Sequence, residues 1–299
     1  MIYLNIKPLT ENGLSQLKDL TPLNWSGNVH DTFKFHFGKT YFHPIVAEKG
    51  EQIVGCAYGL LHENSGWLSN IIVLPEFRGQ GFGTKLTSNL IDRLRSEVCI
   101  TLNLCATKAG ISLYKNLGFA TSATYTLLKR ERSLLERLLT KTLRQYGEHF
   151  YKILPAFLKK YVLWEPTPHI RKIEPEDYGR VMNIDKYITG ENRKAFLNQY
   201  LSSGWVYQGN IQEEITGFYL EGFGNAPIYA LDPKSGLELL QFKIGRGSKN
   251  ICVPTANKVA IKFLVNSGFR ITEIQPRMTL GPSIDWKPQG VFNRGGGTG

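Results

Sequence analysis

Cysteine is scarce in this sequence, and the placement of the few cysteines excludes two kinds of site. The chain of 299 residues contains four: Cys56, Cys99, Cys105 and Cys252. No two of them form a C-x-x-C pair, and no group of histidines accompanies them. Zinc sites and disulfide frameworks depend on such spacings, so we expect buried free thiols and no bound metal.

Long apolar runs are also missing. No run approaches the roughly 20 residues that a membrane-spanning helix needs. The opening residues, 1–8, lack the basic-then-apolar order of a signal peptide. We therefore expect a cytoplasmic protein without a membrane span.

Acidic residues are the third deficit. The chain has 25 Asp and Glu against 36 Lys and Arg, which gives a formal net charge of +11. This balance suits an anionic partner, such as a phosphorylated cofactor, nucleic acid or an anionic membrane. The hydrophobic content of 42% is ordinary for a globular protein with a buried core, and the length suggests two domains.

The first half of the chain alternates between strand-like and helix-like segments. Residues 52–61, 67–74 and 100–105 predict strands. Residues 83–97 place Leu86, Leu90 and Leu94 at the spacing of an amphipathic helix. A shorter helix and another strand are predicted before residue 129.

Residues 130–160 differ from this pattern and predict a long basic helix. The segment 129–160 holds nine Lys and Arg against three Glu, a net +6. Apolar side chains share one face, namely Leu135, Leu138, Leu139, Leu143 and Tyr146. The favoured interpretation packs this face between two domains and leaves the basic face in solvent. Binding to an anionic membrane or to nucleic acid are the alternatives.

Three short motifs recur in the same order in the second half of the chain. The sequence 51–55 has an echo at 213–217, and Ile6-Lys-Pro8 has one at Ile173-Glu-Pro175. Cys105 followed by Gly118-Phe119 matches Cys252 followed by Gly268-Phe269. This ordered set predicts a duplicated domain. We expect a first domain at 1–129, a linker at 130–167 and a second domain at 168–299.

The segment from Arg78 to Gly83 reads Arg-Gly-Gln-Gly-Phe-Gly and stands between a predicted strand and a predicted helix. Glycines let backbone N–H groups converge, and the start of a helix adds a positive dipole. Arg78 supplies a formal charge at the same place. The spacing is neither the dinucleotide-binding G-x-G-x-x-G nor a Walker loop, yet it predicts an anion site.

This strand, loop and helix, together with Tyr114-Lys-Asn-Leu-Gly118-Phe119, resembles the GNAT superfamily of acyl-CoA N-acyltransferases. The family consensus Q/R-x-x-G-x-G/A matches at Arg78, Gly81 and Gly83. The resemblance implies that a bulged strand binds the pantetheine arm of acetyl-CoA and that the loop binds its pyrophosphate. The implied cofactor-binding residues are Ile72, Val73, Leu74, Arg78, Gly79, Gln80, Gly81, Phe82, Gly83 and Thr84.

The resemblance also implies the catalytic residues. Tyr114 would protonate the leaving thiolate, and backbone N–H near Val73 would stabilise the oxyanion. Asn70 stands where many members carry a carboxylate, and its amide could only orient a water. His62 and Glu63 are alternatives for the base or simple turn residues.

The second copy keeps the order of elements but not the loop. The corresponding stretch is 232–240, with Asp232 and a single glycine, and Leu264 replaces the tyrosine. The resemblance is to tandem GNAT proteins of the bacterial type, with a degenerate, non-catalytic second domain. Arg193 and Arg277 are candidates for binding an anionic group, although surface ion pairs are the more frequent role.

The fold class implied is α+β, two tandem GNAT-like domains, each a mixed, mostly antiparallel sheet flanked by helices, joined by a basic helical linker. The implied function is transfer of an acetyl group from acetyl-CoA to a primary amine of a small molecule or peptide. A non-catalytic coenzyme-A-binding sensor or scaffold, and a nucleic-acid-associated protein, are the alternatives. Nucleic acid is disfavoured, a homodimer stays open, and acceptor residues are expected on variable loops such as 25–41.

Overall fold

The computed structural model describes residues 4–22, 28–131, 134–155, 158, 168–209 and 214–295. The chain divides into two compact units that are not continuous in sequence. Unit 1 comprises Met1–Ser122 and Pro276–Ile284, with Gly297–Gly299. Unit 2 comprises Ala123–Gln275 and Asp285–Gly296. The domain boundaries predicted at residues 129 and 167 come from the sequence alone and stay a prediction.

Unit 1 is a sheet with a long helix on one face. Its strands are β1 (Leu4–Pro8), β2 (Phe42–Lys49), β3 (Gln52–His62), β4 (Ser65–Val73), β5 (Thr101–Cys105) and the second half of β12 (Arg270–Leu280). Its helices are a 3₁₀ helix (Glu11–Leu20), α1 (Val29–His36), a 3₁₀ turn (Pro75–Phe77), α2 (Phe82–Ser96) and α3 (Ile111–Asn116). The strand order is β1-β2-β3-β4-β5-β12. Among the described strands of unit 1, β4 and β5 pair in parallel and the other neighbours pair antiparallel.

The core of unit 1 lies between α2 and the sheet. Leu86, Leu90 and Leu94 of α2 are fully buried, because the predicted spacing places them on one face of the helix. They pack against alternate residues of β5 and β12, including Leu102, Leu104 and Met278. The other side of β5, which carries Asn103, therefore faces away from α2.

Unit 2 repeats this order of elements. Its strands are β6 (Ala120–Lys129), β7 (Ile170–Lys172), β8 (Gly204–Gln208), β9 (Ile215–Leu220), β10 (Ile228–Ala230), β11 (Asn250–Pro254) and β13 (Val291–Asn293). Its helices are α4 (Leu134–Ile153), α5 (Tyr178–Thr189), α6 (Lys194–Leu197), α7 (Pro233–Gly245) and α8 (Lys258–Asn266), with short 3₁₀ turns at Pro175–Asp177, Leu201–Ser203 and Pro288–Gly290. One antiparallel sheet has the order β13-β10-β9-β8-β7. In addition, β11 pairs with β6.

The helices that follow β5 and β11 end with the same pattern of backbone hydrogen bonds. Phe119 donates its N–H to Tyr114, and Phe269 donates to Leu264, both at 3.0 Å. The glycine before each phenylalanine donates to the residue three positions earlier. Leu264 therefore stands where Tyr114 stands in unit 1, as the repeated Gly-Phe motif predicts. Together with the shared order of elements, this confirms two tandem copies of one α+β fold.

The basic linker is helical over a shorter stretch than predicted, Leu134–Ile153. Among its described side chains Leu139 is buried, whereas Leu135, Leu138 and Tyr146 are exposed. The expectation that these three pack on a neighbouring surface is wrong. Residues 132–133, 156–157 and 159–167 of the predicted linker lie outside the described residues. Within the described parts of the chain, the helices are too short or too polar to traverse a lipid bilayer.

A buried histidine makes the stability of unit 1 sensitive to acid. His36 of α1 is buried, and its Nδ1 lies 3.0 Å from the hydroxyl of Tyr41. Burial, assisted by Lys39, lowers the pKa of His36 from 6.5 to about 4. Between these values the unfolded chain binds the proton and the folded chain does not, so stability is lost as the pH falls from 6.5 to 4.

We expect His36 to contribute up to about 3 kcal/mol to this acid destabilisation. Urea unfolding at a series of pH values would measure it in the wild type and in His36→Gln. The variant, which has no proton to bind, should show a flatter dependence on pH over this window. Equal slopes for the two proteins would contradict the assignment.

Candidate functional site

The strands β4 and β5 begin as a parallel pair and then separate. They pair from Ser65↔Thr101 to Trp67↔Asn103 and no further. On its other edge β4 stays paired with β3 up to Val73, with a bulge where Tyr58 faces Ser69 and Cys56 faces Ile72. Asn70 occupies this bulge with a φ of +49°. One edge of β4 after Trp67 is thus free of a partner from β5.

The backbone of Val73 faces this free edge. Leu74 donates its N–H to the Val54 carbonyl of β3 at 2.9 Å. Neighbouring residues of a strand direct their backbone groups to opposite edges, so the Val73 groups point away from β3. The Val73 carbonyl accepts a hydrogen bond from Nε of Arg78 at 3.0 Å instead. Arg78 is thereby held at the end of β4, with its side chain exposed.

The glycine-rich loop after β4 forms the start of α2. Gly79 and Gly81 have φ values of +75° and +80°, and nothing lies within 4 Å of a Cβ added at either. These two glycines are required by the backbone conformation and leave open space in front of the loop. Lys85 makes the first hydrogen bond to Gly81, so the N–H groups of the preceding turn are those that a helix leaves without an internal partner.

The other predicted loop residues serve different purposes. The Phe82 ring is buried and packs edge-on against Phe77 at 6.0 Å. Gln80 donates to the Glu76 carbonyl, which closes the turn, while Thr84 is exposed on the first turn of α2. Only the exposed groups of this loop are free to contact a ligand.

Tyr114 lies on α3, which packs against the start of α2. Leu113 approaches within 3.1 Å of the position that a Cβ on Gly83 would take. The Tyr114 ring packs edge-on against Phe119 at 6.1 Å and contacts the same apolar cluster as Val73 and Leu74. Burial raises the pKa of Tyr114 to about 12. The phenol is therefore a stable proton donor at neutral pH.

The structure separates the two alternatives for a base from the bulge. His62 pairs with Ser65, five residues before Asn70, and Glu63 lies in the turn beyond it. Five strand residues span roughly 16 Å, so neither side chain reaches the bulge at Asn70. His62 is buried and Glu63 exposed.

Arg277 lies in unit 1, a placement that the sequence did not reveal. We expected it in the second copy, but β12 pairs Arg277 with Cys105 of β5. Its guanidinium lies 4.9 Å from the Trp67 ring centre and 3.4 Å from Oδ1 of Asn103. All three side chains are buried where β4 and β5 separate. No local pattern indicates this neighbourhood, because the strand comes from far along the chain.

Residues 40–121, which include the bulged strand, the loop and α3, match the family described as an acetyltransferase (GNAT) domain. These residues are the part of the chain that resembles the GNAT family.

Curated relatives of the GNAT domain are enzymes by name. An acetyltransferase of Yersinia enterocolitica is 35% identical over 89 residues, which cover 29% of this chain and 63% of that protein. A thialysine N-ε-acetyltransferase of Mus musculus is 32% identical over 101 residues, which cover 27% of this chain and 58% of that protein. The chain thus spans less than two thirds of the length of these relatives.

Two solved structures match nearly the whole chain and bear out the tandem GNAT fold. A candidate acetyltransferase from Pyrococcus horikoshii superposes with a TM-score of 0.75 at 18% identity, covering 97% of this chain and 93% of that one. A tandem GNAT protein of the clavulanic acid biosynthesis pathway has a TM-score of 0.56 at 13% identity, covering 94% and 100%. At these identities the likeness concerns the fold alone.

The second GNAT-like unit differs at the position of the loop. Asp232 caps α7 by accepting the N–H of Ser235 at 2.9 Å, so the helix start already holds a carboxylate. Arg193 is not available to an anionic ligand, because Asp185 binds it in a fully buried pair with Nε to Oδ2 at 3.0 Å. Both roles considered for Arg193, the binding of an anionic group and a surface ion pair, are therefore wrong. In the described residues, no group of three or more His, Cys, Asp or Glu side chains is arranged to hold a metal ion.

Proposed function

We propose that the chain is an N-acetyltransferase that moves an acetyl group from acetyl-CoA to a primary amine, with the reaction carried out in unit 1. The observation that carries this proposal is that three features of unit 1 lie on neighbouring elements, the end of β4, the start of α2 and the helix α3 packed against it. These are the free backbone edge at Val73, the open loop from Arg78 to Gly83, and the phenol of Tyr114. Each offers a group that acyl transfer from a thioester requires.

The residues present fit coenzyme A. The Val73 N–H offers an edge of β4 that an extended amide chain can pair with, whereas the backbone groups of Ile72 and Leu74 face β3. The N–H groups at the start of α2, with Arg78, offer donors and positive charge to a pyrophosphate. The open space in front of Gly79 and Gly81 leaves room for phosphate oxygens.

The reaction follows from these placements. The acceptor nitrogen bonds to the thioester carbon, the carbon–sulfur bond breaks, and the thiolate takes the proton of Tyr114. The Val73 N–H stabilises the charge that develops on the carbonyl oxygen. The excess proton of the amine leaves to solvent through a water that Asn70 orients, since an amide cannot take it at neutral pH.

The class of acceptor is supported by the names of the relatives, two of which are described as acetyltransferases and one of which acts on thialysine. Of the loop expected to line the acceptor pocket, Phe33 and His36 belong to the core of unit 1, and Trp25 lies outside the described residues. A panel of small amines and amine-bearing peptides, assayed by release of free thiol from acetyl-CoA, tests the proposal. Saturable binding of acetyl-CoA without thiol release would favour the sensor or scaffold instead.

Gly81→Val should weaken binding of acetyl-CoA at least about tenfold. A β-branched side chain is strained at a φ of +80° and would project into the open space of the loop. Isothermal titration calorimetry with acetyl-CoA measures the effect. The matched control is Gly50→Val, which places the same side chain at a φ of +66° with equally open surroundings in the β2–β3 turn.

Both variants should lose similar stability, and only Gly81→Val should lose affinity. Equal affinities for the two variants would contradict the placement of the pyrophosphate at this loop.

A further inference from the structure

The gap between strands that is open in unit 1 is filled in unit 2. The strands β10 and β11 correspond to β4 and β5 in the order of elements. Between them lies β13, which pairs with β10 at Ile228↔Asn293 and Tyr229↔Val291. On its other side the N–H of Arg294 donates to the Cys252 carbonyl of β11 at 2.7 Å. Val291, Phe292 and Asn293 are all essentially inaccessible to solvent.

Side-chain hydrogen bonds fix β13 in this position. Oδ1 of Asn293 accepts the N–H of Cys252 at 2.9 Å, and its Nδ2 donates to the carbonyls of Asn225 and Ala226. Asn257, at the start of α8, donates from Nδ2 to the carbonyls of Gln289 and Val291, both at 3.0 Å. Hydrogen bonds thus hold the segment both at its backbone carbonyls and at the side chain of Asn293.

The ring of Phe292 occupies the space beside the start of α7, the helix that corresponds to α2. A Cβ placed on Gly236 would lie 2.1 Å from Cε2 of Phe292. The glycine is therefore needed for the close approach of the ring, whereas Gly79 and Gly81 of the unit 1 loop face open space. Asp232 caps the same helix start with a negative charge. The strand edge and the helix start, the two backbone features that could receive an acyl-CoA in unit 1, are thus both engaged in unit 2.

We propose that unit 2 is a strand-binding site permanently occupied by residues 291–294 of its own chain, which take the place of a pantetheine arm. Both ligands are extended chains whose amide groups pair with a strand edge, and this chemistry is what β10, β11 and Asn257 recognise. One consequence is that each chain binds a single acyl-CoA, in unit 1. That consequence rests on the proposed function, whereas the occupancy of unit 2 does not.

Hydrogen exchange of the 299-residue chain, with and without acetyl-CoA, tests whether β13 occupies the site between β10 and β11. We expect residues 291–293 to be protected like a central strand in both states. Exchange at the rate of a loop, or loss of protection on addition of acetyl-CoA, would overturn the proposal. Phe292→Ala should accelerate exchange in β10 and β11 by about tenfold or more, because it removes a buried ring from between them. Tyr187→Ala, which truncates an exposed aromatic side chain of unit 2, is the control and should change neither strand.

The stoichiometry of acetyl-CoA binding completes the test. Calorimetry should give one site per chain in the wild type and in Phe292→Ala, and Arg78→Ala should weaken that one site without exposing another. A second site would overturn the proposal. If acetyl-CoA does not bind at all, the proposed function of unit 1 fails, while the exchange pattern of β13 still decides the occupancy of unit 2.

Discussion

Tyr114→Phe is expected to lower kcat for acetyl transfer by about 10²–10⁴-fold, with little change in the affinity for acetyl-CoA. The substitution removes the only proton that the side chain can give to the thiolate. It keeps the ring that packs on Phe119 and on the apolar cluster of unit 1. Because burial raises the pKa of the phenol to about 12, the wild type should keep its proton donor throughout the assayable alkaline range.

The measurement is steady-state turnover from pH 6 to about 10 for the wild type, Tyr114→Phe and the control Tyr187→Phe. The control removes an exposed hydroxyl of unit 2 and should leave turnover unchanged. If Tyr114→Phe keeps its turnover across this range, the thiolate leaves without this proton and the role of Tyr114 is structural.

Asp185→Ala is expected to destabilise the protein by roughly 3–5 kcal/mol, the largest loss of stability that we predict for a single side chain. Asp185 and Arg193 form a bidentate ion pair, and both are buried. Arg193 also lies 5.2 Å from the centre of the buried Tyr229 ring. Burial raises the pKa of the Asp185 carboxyl, and the attraction to Arg193 opposes this change. Removal of the carboxylate leaves a guanidinium in the core without this counter-charge.

Denaturant unfolding measures this loss, with Asp285→Ala as the matched control. Asp285 pairs with Lys287 at the surface, where an ion pair contributes about 1 kcal/mol at most. A double variant, Asp185→Leu with Arg193→Met, should recover most of the loss, because no charge is then left in the core. Equal destabilisation by Asp185→Ala and by the control would show that the buried charge is compensated in another way.

The sequence predicts the glycine loop well because its physical requirement is local. A φ near +80° strongly favours glycine, so Gly79 and Gly81 mark the loop in the sequence itself. The apolar spacing of Leu86, Leu90 and Leu94 predicts the buried face of α2 for the same reason. The recurrence of Gly-Phe after two helices, with the same closing hydrogen bonds, is what made the duplication visible.

The pairing of distant strands could not be predicted in this way. A short strand such as β12 can pair with many sheet edges, so its own residues do not select β5 as the neighbour. Arg277 was consequently expected in the second copy. The buried Asp185–Arg193 pair escaped prediction because charged residues eight positions apart are usually at the surface, and only the fold encloses them.

The last strand of unit 1 has a consequence for the order in which the protein forms. The ribosome makes the chain from the N-terminus. On the edge opposite β4, however, β5 acquires a neighbour only when Pro276–Leu280 has been synthesised. Until then the free edge of β5 stays available for pairing with other chains. The chain must therefore leave the ribosome as far as residue 280 before the sheet of unit 1 is complete, and a fragment that ends at residue 129 would keep that edge open.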